Sequence, residues 1–293
     1  MTPTFALPAL VAILTAIAAG LVGRRLPPAL ATKLLTSAVV VAAAAAFAAT
    51  AAIAAAYLIQ LPGLARALGW CHAVVGHHHH HIAPEVGLLA VVLLGAMSSA
   101  GGRVALHWRR SLQPRGAADG VEIVGADAPL AFAVPGHPGH VVVSVGMIRR
   151  LDSDERRVLF AHEEAHLVHH HHRFLVVAHI AAASVPFLRP LCKHIVFSTE
   201  RWADEVAASR VGSRDLVARA IAKAALAGQP RHGALAFIGT GVVARVEALL
   251  RGRTSVLWVA ALTGVLVTLL LATATGLGVQ IHHLATLVDH VCD

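Results

Sequence analysis

The segment His162-Glu163-Glu164-Ala165-His166 puts two imidazoles four residues apart, with a carboxylate beside the first. On a helix, residues four apart share a face, so both imidazoles can reach one metal ion. Glu163 is then placed to take a proton from a water that the metal activates, the chemistry of HExxH hydrolases. The bland alternative is a solvated helix with chance histidines. Against it, Val158, Leu159, Ala161, Ala165 and Leu167 make the neighbourhood apolar, and two histidines with a glutamate are costly to bury there without a metal. A catalytic zinc needs a third protein ligand and an open position for water. Glu200 and Asp204 are again four apart, so one carboxylate can bind the metal while the other orients a ligand histidine through its ring N–H. Glu205 competes as third ligand, with Glu200 preferred. His169 to His172 and Arg210 are candidates for a second oxyanion donor, though none has diagnostic spacing.

These residues need elements to hold them. Asp152 precedes Glu155 by three residues, a capping-box pattern that predicts a helix from about Ser153 to His171. The run His169 to His172 is expected to continue that helix, with its distal members exposed. Upstream, Leu130 to Val134 and His140 to Val145 are apolar, β-rich runs separated by Pro135-Gly136-His137-Pro138-Gly139, which predicts a β-hairpin. The run Phe174 to Leu188 is short for a membrane span, contains His179 and meets Pro186. It reads as a core or interfacial helix, since a crossing here would put the metal ligands on opposite sides of the bilayer.

The composition sets these elements in a membrane protein. Of 293 residues, 57% are hydrophobic and 14% charged, with a mean hydropathy of +0.69. A soluble domain carries roughly 25% charged residues. Disorder and collagen are excluded by the same figures. Cys71, Cys192 and Cys292 have no CxxC spacing, so neither a zinc knuckle nor a disulfide framework is indicated. Twelve of the 16 acidic residues fall between Asp119 and Asp215, which marks the middle of the chain as the water-exposed part. Apolar stretches predict about four membrane-spanning helices, near 5–23, 36–59, 86–106 and 256–279, because a span takes about 20 apolar residues. The net charge of +8 is assigned to basic loops beside these spans, and no nucleic acid partner is expected. Arg24, Arg25 and Lys33, then Arg103, Arg109, Arg110 and Arg115, then Arg245, Arg251 and Arg253 all fall on one side if the N-terminus is outside. The expected layout is three spanning helices in 1–106, a cytoplasmic domain carrying the HExxH segment in 107–253, and a fourth helix with a short tail in 254–293, both termini outside.

The ordered series AFAVPG, HVVVSVGMIRRL, FAHEEAHLVHHH and ERWADE resembles membrane zinc metallopeptidases of the HtpX type and the peptidase domain of BlaR-type sensor-transducers, in a compact actinobacterial form. The resemblance covers roughly residues 120–225. It implies an α+β zincin-like domain with a small hairpin or sheet, and one Zn2+ per chain. It implies His162, His166 and Glu200 as the metal ligands, Glu163 as the general base and Asp204 behind the ligands. There are departures from the pattern. Leu130 stands near a place where the HtpX-type pattern often has asparagine. Only 33 residues separate His166 from Glu200, too few for the two spanning helices that HtpX-type enzymes insert there. No penicillin-binding sensor domain is expected after the last helix. The implied substrate is a peptide or protein, such as a repressor or a misfolded membrane protein, met at the lipid bilayer. The rival is a histidine-rich zinc transporter or metal-sensing membrane protein, in which the loop His77 to His81 captures metal. Asp154, Glu155, Arg156 and Arg157 on the HExxH helix weigh against a transport helix at that place.

Overall fold

The computed structural model describes residues 25–61, 82–111, 120–136, 139–227 and 235–251, with scattered helical positions between 261 and 278. Most of these residues are helical, and one three-stranded sheet stands among them. The first helix, α1 (Pro28–Ile59), begins behind Pro27 with Pro28 in its first turn, where the missing amide hydrogen costs no helix bond. The second, α2 (Pro84–Ser111), carries Glu85 in its first turn and Arg109 and Arg110 in its last, charges that complement the helix dipole. Both are long and apolar enough to cross a membrane, with mean hydropathies of 2.3 and 1.6 over their most apolar windows. Leu88, Leu89, Val92 and Leu93 of α2 lie exposed. Two of the four expected spans therefore fall on described helices, and those expected at 5–23 and 256–279 lie outside the described residues or on isolated positions. Each described helix outruns its expected span. Hydropathy marks the apolar stretch, whereas the helix continues through Lys33 at one end of α1 and His107 to Ser111 at the end of α2.

The sheet is built from β1 (Gly120–Val124), β2 (Ala131–Val134) and β3 (His140–Ser144), in the order β1-β3-β2. The expected hairpin is present: β2 runs antiparallel to β3, with Phe132 opposite Val142. β1 was not anticipated, and it pairs in parallel with β3. The central strand is wholly buried. A short helix, α3 (Val145–Arg150), follows behind Ser144, whose hydroxyl accepts from the Met147 amide.

The HExxH helix, α4 (Ser153–Val168), starts as predicted. The Asp152 carboxylate accepts from the Glu155 amide at 2.9 Å, and the Glu155 carboxylate accepts from the Asp152 amide at 2.9 Å. Its end differs. His170 takes a left-handed conformation, φ 51°, and breaks the helix, so that α5 (His171–Ser184) sets off separately. Histidine tolerates that backbone region better than β-branched residues do, and no proline or glycine announces the break. Consequently His171 is fully buried, rather than an exposed continuation of α4.

A one-turn 3-10 segment at Pro186–Leu188 leads into α6 (Arg189–Val211), which ends at Gly212 in the left-handed conformation, φ 76°, a place that suits glycine. Then come α7 (Arg214–Ala227) and α8 (Leu235–Leu250). One core joins Leu35, Val39 and Ala42 of α1 to Ala178 and Ala182 of α5 and Ile195 of α6. A second joins Val158 and Ala161 of α4 to Ala207 of α6, Val217 of α7 and Leu249 of α8. The segment Phe174 to Leu188 is thus largely a core helix, as its length suggested. α2 packs on it through Gly101, where a Cβ would collide with the Ser184 hydroxyl.

Candidate metal centre

α4 and α6 pack side by side, and each brings one face of chemistry to their seam. His162 and His166 project from α4 at a spacing of four. From α6 come Glu200 and Asp204, also four apart. His162 Nε2 lies 3.2 Å from His166 Nε2, and Glu200 Oε2 and Oε1 lie 3.6 Å from these two nitrogens respectively. A tetrahedral ion with ligands at about 2.1 Å separates them by roughly 3.4 Å. The donor set is therefore spaced for one zinc-sized ion, and its chemistry, two imidazoles and a carboxylate, fits zinc.

The next layer fixes these donors. His162 Nδ1 lies 3.0 Å from Asp204 Oδ1, leaving Nε2 to face the other ligands. Asp204 is itself buried, and Arg245 of α8 grips it with two hydrogen bonds, Nε to Oδ2 at 2.8 Å and a terminal nitrogen to Oδ1 at 2.7 Å. The other terminal nitrogen reaches Glu200 Oε2 at 2.9 Å. One guanidinium therefore holds both α6 carboxylates. Glu205, the competing ligand, points away and pairs with Arg214. Arg210 pairs with Glu164 on the outer side of α4, so its guanidinium is committed there.

Electrostatics follow from this packing. Burial disfavours charge on His162, but the Asp204 and Glu200 carboxylates outweigh it and push its pKa up to about 10. Burial pulls His166 down to about 4 against the attraction of Glu200, so this imidazole is neutral at pH 7. Burial likewise raises Glu163, with partial relief from His162, which makes it a stronger base than a solvated carboxylate. Glu200 and Asp204 go the other way. Burial would raise both, yet His162 and Arg245 hold the two carboxyls below the usual range.

The centre opens on a cavity of about 360 Å³. Trp108 at the end of α2, Phe132 and Pro135 of the β2 region, and Leu167, His172 and Leu175 line it, alongside Glu163. β2 is an edge strand beside this cavity. The Ser144 amide donates to the Leu130 carbonyl, so ladder alternation turns the amides and carbonyls of Ala131 and Ala133 outward. The Ala133 amide hydrogen-bonds the Glu163 carboxylate.

Residues 103–191 match the model of peptidase family M48. The match runs from the end of α2 through the sheet and the HExxH helix to the start of α6. By it the chain is a zinc metallopeptidase, a hydrolase of peptide bonds, and the resemblance read from its motifs is borne out. The matched stretch stops short of Glu200, Asp204 and Arg245, which geometry alone brings to the centre. No curated protein and no solved structure matches the chain.

All five predicted site residues converge at one place. Two further residues escaped sequence reasoning. Arg245 was counted among basic loop residues, although its isolation in the otherwise apolar stretch Gly241 to Leu250, apart from Glu247, signals a buried partner. His171 was hidden within a histidine run.

Proposed function

We propose that this M48 chain is an integral membrane zinc metalloendopeptidase whose metal is held by His162, His166 and Glu200, with Glu163 as general base and Asp204 orienting His162. The observation that carries the reading is the tetrahedral spacing of the three donor groups, with a raised carboxyl beside them. Zinc at that place supplies Lewis acidity, making a water acidic enough to ionise near pH 7 and drawing electron density from the scissile carbonyl. Glu163 takes the proton from the water and returns it to the departing amine. Its hydrogen bond from Ala133 aims the carboxylate at the cavity. Substrate lies as an added strand along β2, paired with the outward amide and carbonyl of Ala131 and the outward carbonyl of Ala133. The apolar walls favour a bulky apolar side chain next to the cut. Two apolar helices weakly favour membrane association, and the chain's role is membrane-protein quality control or regulated proteolytic signalling. In this reading residues 107–253 form a cytoplasmic peptidase domain between membrane helices in 1–106 and 254–293, with both termini outside. The substrate is then a misfolded membrane protein or a repressor.

Glu163→Gln separates this from a metal transporter. It should abolish proteolysis of a casein or peptide-library substrate while keeping zinc. A variant that still cleaves, or a wild type that moves zinc across vesicles without cleaving anything, overturns the proposal.

A further inference from the structure

Each imidazole that binds a metal through one nitrogen presents its other nitrogen to something, and what it meets fixes the ring's tautomer and angle. His162 meets Asp204. His166 meets a second histidine: its Nδ1 lies 3.0 Å from His171 Nδ1, with the ring centroids 4.8 Å apart and nearly perpendicular. We propose that His171 is a positioning residue for the metal centre, accepting the Nδ1–H of His166 and so holding His166 Nε2 toward the ion. The inference rests on the metallopeptidase reading and deepens it.

Three observations converge on this. When Nε2 of His166 gives its lone pair to a metal, the ring's proton sits on Nδ1, and a donor there needs an acceptor. His171 Nδ1 is the group that meets it. That assigns His171 the opposite tautomer, with its proton on Nε2, and this second nitrogen is buried with no hydrogen-bond partner among the described residues. A residue serving only to fill space would gain nothing from an imidazole with one orphaned nitrogen. The ring is also immobilised. It is fully buried, packs against Trp202 at 4.7 Å between centroids, and has His169 stacked at 5.8 Å. Finally, the backbone bends to put it there. The left-handed turn at His170 interrupts α4 and starts α5 so that His171 lies beneath His166, five residues on. One member of the tract His169 to His172 thereby acquires a specific task.

The two ligands are held unequally. A carboxylate stands behind His162 and a neutral imidazole behind His166, so zinc affinity should be sensitive to the acceptor at His171. Asparagine places Oδ1 the same number of bonds from the backbone as histidine Nδ1, whereas glutamine places its oxygen one bond farther. The test uses full-length protein in detergent, with zinc affinity measured by chelator competition, the visible spectrum of the cobalt-substituted centre, and melting of the metal-free form. His171→Leu should weaken zinc by about 10–100-fold and change the cobalt spectrum, without lowering the metal-free melting temperature. His171→Asn should recover most of the affinity and the spectrum, and His171→Gln should not. If His171→Leu fails to fold, the comparison of asparagine with glutamine decides alone. Equal zinc affinity in those two variants, or wild-type affinity in His171→Leu, overturns the proposal. A wild type that binds no zinc instead overturns the metallopeptidase reading beneath it.

Discussion

Glu200 and Asp204 share a helix face but hold different partners, so their loss should have different effects. Glu200→Gln should remove both zinc and activity. Asp204→Asn should weaken zinc by about 10–100-fold, because His162 loses the acceptor that orients it. Glu205→Gln should leave zinc in place, since that carboxylate pairs with Arg214; metal analysis of the three purified variants checks this. Arg245 is the counter-charge for both site carboxylates. Arg245→Met leaves the buried Asp204 carboxylate, and the partly exposed Glu200 beside it, short of a partner and should cost about 3 kcal/mol in the metal-free protein. Zinc replaces part of the missing positive charge, so melting with and without chelator should show a larger zinc stabilisation in the variant than in wild type. The centre should also respond to pH. Metal-free His162 holds its proton up to about pH 10, and zinc must displace that proton to bind. Below that pH, apparent zinc affinity should therefore fall roughly tenfold for each unit the pH is lowered, visible in chelator competition at neutral and mildly alkaline pH. A flat profile would show that His162 is already neutral.

The elements make their own predictions. If substrate pairs with the outward groups of Ala131 and Ala133, N-methylation of a peptide substrate at successive positions should impair cleavage alternately, because only every second amide faces β2. A uniform response would show that substrate does not lie as a strand. The capping box at Asp152 sets where α4 begins, and Asp152→Ala should cost about 1 kcal/mol in a melting curve. That start was readable because a cap is a local pattern, Asp152 to Glu155, with its answer three residues away. The hairpin was readable for a similar reason, since two apolar runs flank a proline–glycine turn. β1 was not: its GVEIV is five residues long, and four of its positions are exposed, so it shows little of the pattern that burial imprints. The end of α4 was hidden too. Its break depends on His170 entering a left-handed turn in a run of four histidines, where nothing in residue type distinguishes one from the next. The pairs His162/His166 and Glu200/Asp204 were legible from i, i+4 spacing within single helices, and Glu163 from its place beside His162. Arg245 and His171 were not, because their roles come from contacts between elements.

At the scale of the whole molecule, the cores tie the metal centre to apolar helices. α1 shares a core with α5 and α6, and Trp108 near the end of α2 lines the site cavity. The proposed topology puts that cavity on the cytoplasmic side, close to where α2 leaves the bilayer. A cysteine introduced near residue 118 in a background free of native cysteines should resist an impermeant thiol reagent in intact cells. Ready labelling would invert the topology. It would leave the chemistry untouched, since Arg245, one of the charges from which orientation was read, is engaged in the site and not free in a loop. The central claim is that His162, His166 and Glu200 bind a single ion. Anomalous diffraction at the zinc edge from crystals of the full chain tests it most directly. One peak within bonding distance of His162 Nε2, His166 Nε2 and a Glu200 oxygen is the predicted result, and a peak elsewhere with none between these three residues would contradict it.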